Sequence, residues 1–596
     1  MDLFEQQAVA RAESIAIAAE RRVTYGDLNR QANRVAHWLL KVGVGSGDLV
    51  PILAPPSIEM VVAILGVLKA GGAYALIEAG LDPACLRTRL DELSAHALLA
   101  TGDRAKELNT AGLVRVPVLR LDRTATELAD TSEDNPASTL SPMQPASVVY
   151  PSVSAECRGV LIPPRALARR AGELEQQDAI LMVSPCIAAA SFELWGALLS
   201  GARIVLPQAS WSLPALAALL RKESVTVLQI PPDRLAQALE EIPEALRDLR
   251  VLVTGGDVAP AALLREAINA LPGTLIVHEY GTAEAPAAVS WPVMEAIPED
   301  AETVPIGRPS GNCAAYVLDS HGNVLPPGVR GELYLAGDAL ALGYLGDPEQ
   351  TAARFPLHPF QHGSRVFRTG DRARWRADGL LELDAPSYAS AKKQGRRVEF
   401  AAIEKVLAAF PGVAQAVVVV RRGSTGKNRV EAYLEKCAGV AAIDPGAVLE
   451  LARSQLPEYL VPDCVVVTNE LPRDASGAPD REALLARSTH TADASCAAVP
   501  ESALEHQLVA IWEEELDCRP IGVEDNLLQL GAHSLNMVSA HRRMMNLLPR
   551  GEESYESQRE LARQFPMRVF FEHPTIRSLA SILERLIDCA PIGASA

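Results

Sequence analysis

Two hydrophobic rhythms alternate along the first part of the chain. Asp27 to Leu40 carries apolar residues at helical spacing, and Asp48-Leu49-Val50-Pro51-Ile52-Leu53 is a short apolar run of the kind that forms a buried strand. Met60 to Ala70 returns to helical spacing and stops at Gly71-Gly72. The alternation runs from residue 21 to 210 and predicts α/β layers on largely parallel sheets. Val225 to Ile230 and Val251 to Thr254 are further predicted strands, the second broken by Gly255-Gly256. From Gly311 to Leu345 strands and turns dominate, which predicts a barrel-like region or a third sheet. Residues 396–485 predict a smaller α+β unit, with a helix over Ile403 to Phe410 and a strand over Ala416 to Val420. Residues 486–500 are small and polar, as linkers are. Residues 501–590 then predict helices throughout: Ala503 to Glu515, Ser534 to Leu548 and Ser578 to Ile587. No internal repeat or low-complexity tract interrupts this order.

A chain of 596 residues exceeds one ordinary domain, and a hydrophobic content of 48% supports several cores. The net charge of −18 argues against nucleic-acid binding and against anionic membrane surfaces. Nine scattered cysteines, odd in number and without a Cys-x-x-Cys pair, fit a reduced cytoplasmic setting without a zinc site. The start, Met1 to Gln7, has neither the basic stretch nor the apolar core of a signal peptide. The longest apolar stretches, such as Met60 to Leu68, are too short to span a bilayer.

Five stretches narrow this picture: Leu68-Lys69-Ala70-Gly71-Gly72-Ala73-Tyr74; Phe192-Glu193-Leu194-Trp195-Gly196 with Ala197 to Ala202; Gly331-Glu332-Leu333-Tyr334-Leu335-Ala336-Gly337 leading to Gly343-Tyr344; Phe367-Arg368-Thr369-Gly370-Asp371; and Leu471-Pro472-Arg473-Asp474 through Gly477-Ala478-Pro479-Asp480-Arg481. Together they resemble nonribosomal peptide synthetase adenylation domains in order and spacing. Asp525-Asn526-Leu527-Leu528-Gln529-Leu530-Gly531-Ala532-His533-Ser534-Leu535 resembles the attachment site of a peptidyl carrier domain. The resemblance covers nearly the whole chain. It implies the α/β fold of acyl-adenylate-forming (ANL) ligases followed by a four-helix-bundle carrier. The implied bounds are 1–384 for the large N-terminal subdomain, 385–395 for the hinge and 396–485 for the small C-terminal subdomain. A linker at 486–500 and the carrier at 501–590 follow. The implied chemistry joins ATP and an amino acid into an aminoacyl-adenylate, which a pantetheine thiol then takes up.

Several positions depart from the family's pattern. The phosphate loop maps to Tyr150 through Gly159, one residue short, with Val153 and Glu156 replacing glycines that let backbone N–H groups reach phosphate oxygens. Glu156 adds a negative charge where a triphosphate would lie. Arg158 is a candidate substitute for the loop's lysine; a merely structural loop is the simpler reading. The aspartate that pairs with the substrate's ammonium maps to Ala188. In Asn-x-Tyr-Gly-Pro-Thr-Glu, this chain reads His278-Glu279-Tyr280-Gly281-Thr282-Ala283-Glu284. The resemblance keeps Tyr280 for stacking adenine and Glu284 as a possible magnesium ligand, but the threonine hydroxyl is lost at Ala283. His278 reads as a hydrogen-bonding replacement for asparagine rather than a base. Asp371 matches the carboxylate that holds ribose hydroxyls, although Gly370-Asp371 also suits a turn. The hinge, Ala385 to Gly395, has Pro386 for arginine and Tyr388 for aspartate; Lys392 persists and is a candidate cation. The closing lysine, which steadies carboxylate and phosphate charge, maps to Ala478.

The carrier motif is nearly intact, Ala532 for glycine being a mild departure. The resemblance implies phosphopantetheine on Ser534, at the start of a helix whose free N–H groups favour a phosphodiester. A serine there would also serve as a plain N-cap, but the eleven-residue context favours attachment. Residues 551 to 564 look like an insertion before Phe570-Phe571-Glu572-His573-Pro574-Thr575.

Three readings follow. The favoured one is an adenylation–carrier pair with an impaired adenylation part, whose carrier is loaded in trans. Its partners would be a phosphopantetheinyl transferase and other synthetase modules: a trans-loading adenylation domain, condensation or cyclisation domains, and oxidase domains. Degenerate pairs of this sort resemble those of bleomycin-type thiazole-forming assembly lines, which would tether cysteine. The second is an active ligase for a non-amino carboxylic acid that uses Arg158 or Lys392 with ATP and magnesium. The third is a non-catalytic scaffold that presents the carrier.

Overall fold

The apolar runs fold as layers in a computed structural model of the chain. It describes residues 1–588 apart from 78–80, 82, 103, 105–115, 138–140, 152–157, 183–191, 208–211, 257–258, 295–296, 300, 302–303, 384–390, 394–395, 399, 423–427, 438–442, 457–459, 469, 474–478, 480, 487–499, 517–520, 526, 528–533 and 546–568. The described chain forms two units, Met1–Val398 and Glu399–Ala596.

The first unit holds two large sheets. One runs Arg308–Pro309, Ala285–Pro292, Leu275–Thr282, Val251–Gly255, Val227–Ile230, Ala179–Leu181, Arg203–Val205, Ile15–Ala18 and Arg22–Thr24. Its centre is parallel, as the alternating pattern predicted, and its two ends turn antiparallel. The second runs Gly343–Tyr344, Val160–Ile162, Ser147–Val149, Ala73–Leu76, Leu49–Leu53, Leu98–Ala100 and Val118–Arg120. One core draws on both sheets, with Ile17 and Ile204 from the first and Val50 and Ile52 from the second. The region from Gly311 onward is a separate antiparallel sheet of Cys313–Leu318, Gly331–Gly337, Phe367–Trp375 and Leu381–Leu383, not a barrel.

Local chemistry starts the helices where the pattern predicts them. Thr24 caps Tyr25–Lys41 by accepting from the Asp27 backbone N–H, and Ser57 caps Ile58–Lys69 through Met60 N–H. The two helices cross closely at Gly66, where a Cβ would lie 2.5 Å from Val35 Cγ1. Ile58–Lys69 is apolar around most of its circumference and is buried accordingly. Its last residue, Lys69, is buried too, and its ammonium is paired with Glu5 and bonded to Asn135 Oδ1 at 3.1 Å.

In the second unit, Val413–Arg422, Asn428–Lys436 and Cys464–Thr468 form a three-stranded sheet. Helices Phe400–Ala408, Pro445–Gln455 and Arg481–Ala486 accompany it. Glu431 is fully buried there, and Arg421 Nε lies 3.2 Å from its carboxylate. Burial and that carboxylate push the Tyr433 hydroxyl up to about 12. Further along, Ala503–Leu516, Ser534–Met545, Val569–Glu572 and Ile576–Asp588 are helical. Trp512, Leu508, Phe570, Leu579 and Leu583 join them in one core. Arg429 of the sheet donates to the Leu516 carbonyl at 2.8 Å, satisfying an acceptor at the end of the first of these helices. Among the described residues, no helix is long and apolar enough to cross a membrane.

Candidate functional site

The hairpin Leu275–Thr282 with Ala285–Pro292 carries the residues matched to the nucleotide site. Thr282 pairs with Ala285, so Ala283 and Glu284 form its two-residue tip. This hairpin was not among the predicted strands, and Gly281 explains how it closes. A Cβ on Gly281 would stand 2.2 Å from Ala287 N and 2.7 Å from Ala285 O, so only glycine lets the strands approach there. Ala287 takes the left-handed conformation, with φ +45. Arg169 clamps this turn, donating to the carbonyls of Pro286 and, at 2.8 Å, Ala287.

Tyr280 and Asp371 are brought together: the tyrosine hydroxyl donates to Asp371 Oδ2. Gly370-Asp371 does not make a chain-reversing turn. It lies inside the strand Phe367–Trp375, where Gly370 has φ +81 and the register with Gly331–Gly337 shifts. The bulge re-aims Asp371, whose N–H is bonded to Thr369 Oγ1 at 3.0 Å. A carboxylate has about four lone-pair sites, so one phenol leaves room for ribose hydroxyls. The sugar end of a nucleotide therefore fits these residues.

Glu284 is 4% exposed and accepts from the Tyr344 hydroxyl at 2.7 Å. Burial, then the Glu284 carboxylate, raises the Tyr344 hydroxyl well above its ordinary value. Tyr344 belongs to the edge strand that pairs with Val160–Ile162, and Leu345 N–H bonds the Gly159 carbonyl at 2.7 Å. Gly159, the last residue of the segment matched to the phosphate loop, thus lies beside the strand that holds Glu284. Among the described residues, no three His, Cys, Asp or Glu side chains cluster as a metal site. A lone Glu284 fits magnesium only in the mode where phosphates and water supply most ligands.

The phosphate end is different. Ala283 is buried and offers no hydroxyl. Among the described residues, the Thr282 hydroxyl beside it is buried without a hydrogen-bond partner. Arg158 pairs with Glu92 at 3.6 Å. Tyr150, at the loop's other end, donates to Glu92 Oε2 at 3.1 Å and lies 3.7 Å beneath the Arg89 guanidinium. Nothing in the sequence singled out Glu92 or Arg89, which lie about sixty residues earlier on Pro83–Leu93.

His278 is a buried, satisfied core histidine: Nδ1 lies 3.0 Å from the Pro305 carbonyl, and Nε2 accepts from Ala259 N–H at 3.4 Å. The hydrogen-bonding role expected for it is what the geometry contains. Next to it, Glu279 meets Arg170 at 2.9 Å, and Arg170 covers the Phe192 ring at 4.4 Å. Burial opposes the Arg170 charge, but Glu279 and Glu173 outweigh it and raise its pKa. Val153, Glu156, Ala188, Pro386, Tyr388 and Ala478 lie outside the described residues. The backbone of Lys392 lies in Ala391–Lys393, paired with Arg397 of Arg396–Val398. Ser534 is the first residue of its twelve-residue helix, a position that fits a phosphopantetheine phosphodiester.

The chain belongs to the AMP-binding enzyme family, which matches residues 4–345, and the AMP-binding enzyme C-terminal domain matches residues 402–478. It is 33% identical over 605 residues to the dimodular nonribosomal peptide synthase of Bacillus subtilis, covering 99% of this chain and 24% of the relative. It is 32% identical over 592 residues to tyrocidine synthase 3 of Brevibacillus parabrevis, covering 97% and 9%. The chain therefore spans only a minor part of these relatives. Among solved structures, a holo NRPS protein containing adenylation and PCP domains superposes with a TM-score of 0.76 at 23% identity, covering 97% of each chain. The o-succinylbenzoate CoA synthetase of Bacillus subtilis gives 0.70 at 23%, covering 81% of this chain and 98% of the other. The fold is that of adenylate-forming ligases, and the similar sequences are nonribosomal peptide synthetases.

Proposed function

We propose that this chain is an adenylation–carrier unit of a nonribosomal peptide synthetase whose carrier is loaded by another enzyme. Its bounds are 1–384, 385–395 and 396–485 for the adenylation part, with 501–590 as a four-helix-bundle carrier modified on Ser534. The observation that carries the reading is the contrast within the nucleotide site. Asp371 and Tyr280 persist at the sugar end, while the phosphate end has Ala283 for a hydroxyl and an arginine already paired with Glu92. Val153, Glu156, Ala188 and Ala478 extend the same loss to the loop, the substrate's ammonium and the closing lysine. A buried ammonium without a carboxylate is costly, by several kcal/mol, so ordinary amino acids would bind poorly. The partners would be a phosphopantetheinyl transferase and other synthetase modules, with cysteine as the expected tethered residue.

Two assays test the reading separately. Incubation with coenzyme A and a permissive transferase should add phosphopantetheine to Ser534, seen by mass spectrometry; an unmodified chain would overturn the carrier assignment. ATP–pyrophosphate exchange across amino and non-amino acids should stay at background. Robust exchange with any amino acid would overturn the impairment, and exchange with an aryl or keto acid would move the assignment to a ligase for such acids.

A further inference from the structure

One short helix, Pro348–Arg354, holds the supports of both Asp371 and Glu284. Its Thr351 hydroxyl accepts from Tyr344 N–H at 2.9 Å and donates to the Asp347 carbonyl at 2.7 Å. A Cβ on Gly343 would stand 2.4 Å from Thr351 Cγ2, so the edge strand lies directly on the helix. That strand carries the Tyr344 hydroxyl that donates to Glu284. At the other end of the helix, Arg354 reaches the bulge that turns Asp371. The ladder pairs Arg368 with Tyr334 and Arg372 with Glu332, so Thr369, Gly370 and Asp371 together face Leu333. The Thr369 hydroxyl bridges part of this gap, donating to the Leu333 carbonyl at 2.7 Å and accepting from Asp371 N–H at 3.0 Å. The Thr369 carbonyl accepts from Arg354 Nη2 at 3.1 Å. Arg354 Nη1 lies 3.4 Å from where a Cβ on Gly370 would stand, and the guanidinium covers the Phe367 ring at 5.3 Å. Phe355, the next residue, packs against the rings of Tyr344 (5.8 Å) and Phe367 (5.1 Å).

We propose that Arg354 is a positioning residue for a nucleotide's sugar: it holds the bulge so that the Asp371 carboxylate faces ribose hydroxyls. The proposal rests on the reading of Asp371 as the sugar-binding carboxylate. A bulge interrupts the ladder, and a carbonyl freed from the ladder needs another donor. A guanidinium suits this place because it donates from a rigid plane and stays charged. The Phe367 face beneath it fixes the direction of its approach. Burial, then Glu284, raises the Tyr344 hydroxyl, and the Arg354 charge opposes them, so the same cation also acts on the phenol that holds Glu284. Tyr280 holds one carboxylate oxygen of Asp371 and Arg354 holds the backbone behind it. The two constrain different ends of one side chain. Without Arg354 the ladder would persist on both sides of the bulge, while the peptide between Thr369 and Gly370 would be free to rotate. Asp371 would lose its aim and keep its charge.

The test is binding of AMP and of 2′,3′-dideoxy-AMP, which lacks the ribose hydroxyls, to the full chain, measured by isothermal titration calorimetry. Wild type, Arg354→Met, Arg354→Lys and Asp371→Ala are compared, and circular dichroism establishes folding. Arg354→Met keeps an unbranched stem over Phe367 but neither charge nor donor. Arg354→Lys keeps both without the rigid plane, and it covers the case in which Arg354→Met does not fold. Wild type should prefer AMP by about ten-fold or more, the size of one hydrogen bond to a charged group. Arg354→Met should lower this preference to about two-fold, because a misaligned hydrogen bond weakens steeply. Arg354→Lys should fall between the two. A general loosening of the fold would weaken both ligands alike and leave the ratio where it was. A ratio unchanged in Arg354→Met, or in Arg354→Lys where Arg354→Met does not fold, therefore overturns the proposal. A preference that wild type lacks, or that Asp371→Ala leaves intact, overturns the sugar-site reading and the proposal with it. Neither result bears on impaired adenylation, which falls only if wild type supports pyrophosphate exchange.

Discussion

The hairpin around residues 280–284 and the helix that starts at Ser534 are built differently. At the first, side chains that a nucleotide would engage are engaged by the protein: Tyr280 by Asp371, Glu284 by Tyr344, Arg158 by Glu92. At the second, a helix begins on the serine itself, over a core of Trp512, Leu508, Phe570 and Leu579. The lesson is that residues at motif positions carry packing and hydrogen-bond duties of their own beside any ligand contact. Gly281 is needed because the hairpin cannot close around a Cβ, whatever binds beside it.

The sharpest break of this comparison is Ser534→Ala. It should abolish the mass increase from coenzyme A completely while the chain stays folded. Modification that persists would place the attachment elsewhere. Next in size is restoration of chemistry in the first region. One preorganised charge donor is worth roughly 10² to 10³ in rate, yet Ala478→Lys alone should leave pyrophosphate exchange at background because several other contacts are missing. Exchange restored by that one change would reduce the loss to a single lesion.

Trp512→Ala separates the regions by stability. Removing a fully buried tryptophan costs about 3–5 kcal/mol, and denaturant unfolding should show it in the helical region together with lost modification of Ser534. The companion change Tyr280→Phe removes one hydrogen bond to the Asp371 carboxylate and should cost only about 1.5–3 kcal/mol.

The smallest effect concerns pH. Burial alone would raise the Asp178 carboxyl, but bonds from Arg250 (3.0 Å), Thr226 (2.8 Å) and the Glu175 N–H (2.7 Å) outweigh it and hold its pKa below the ordinary value. A depressed carboxylate stabilises the fold fully above its unfolded pKa of about 4 and loses that contribution as pH falls through the folded value. Arg250→Ala should therefore flatten the acid limb of the first unit's stability curve and leave the neutral region less stable. An unchanged slope between about pH 4 and 2 would show that Asp178 is not the titrating group.

Much of the architecture was legible in the chain. The spacing around Tyr25–Lys41 and Ile58–Lys69 and the apolar run Leu49–Leu53 place helices and strand within a residue or two, because burial on one face imposes a period. The helices after residue 500 are legible for the same reason. The hairpin at Leu275–Pro292 was not, since its closure depends on one glycine and a bulge rather than on period-two alternation. The motifs named Tyr280, Glu284, Asp371 and Tyr344 singly, but not that Tyr280 meets Asp371 or that Tyr344 meets Glu284.

By itself, the sequence determined the layered α/β pattern, the helical C-terminal region, and which side chains stand at the motif positions. It also determined which are missing, since no fold can supply a hydroxyl at Ala283 or an ammonium at Ala478. Only the tertiary structure decided what the surviving groups do. Tyr280 is ninety-one residues from Asp371, Tyr150 is fifty-eight from Glu92, and Tyr344 is sixty from Glu284. Contacts at such separations follow from how strands are ordered in a sheet and where a bulge turns a side chain. Local spacing carries neither, so these hydrogen bonds arise only once the layers have packed.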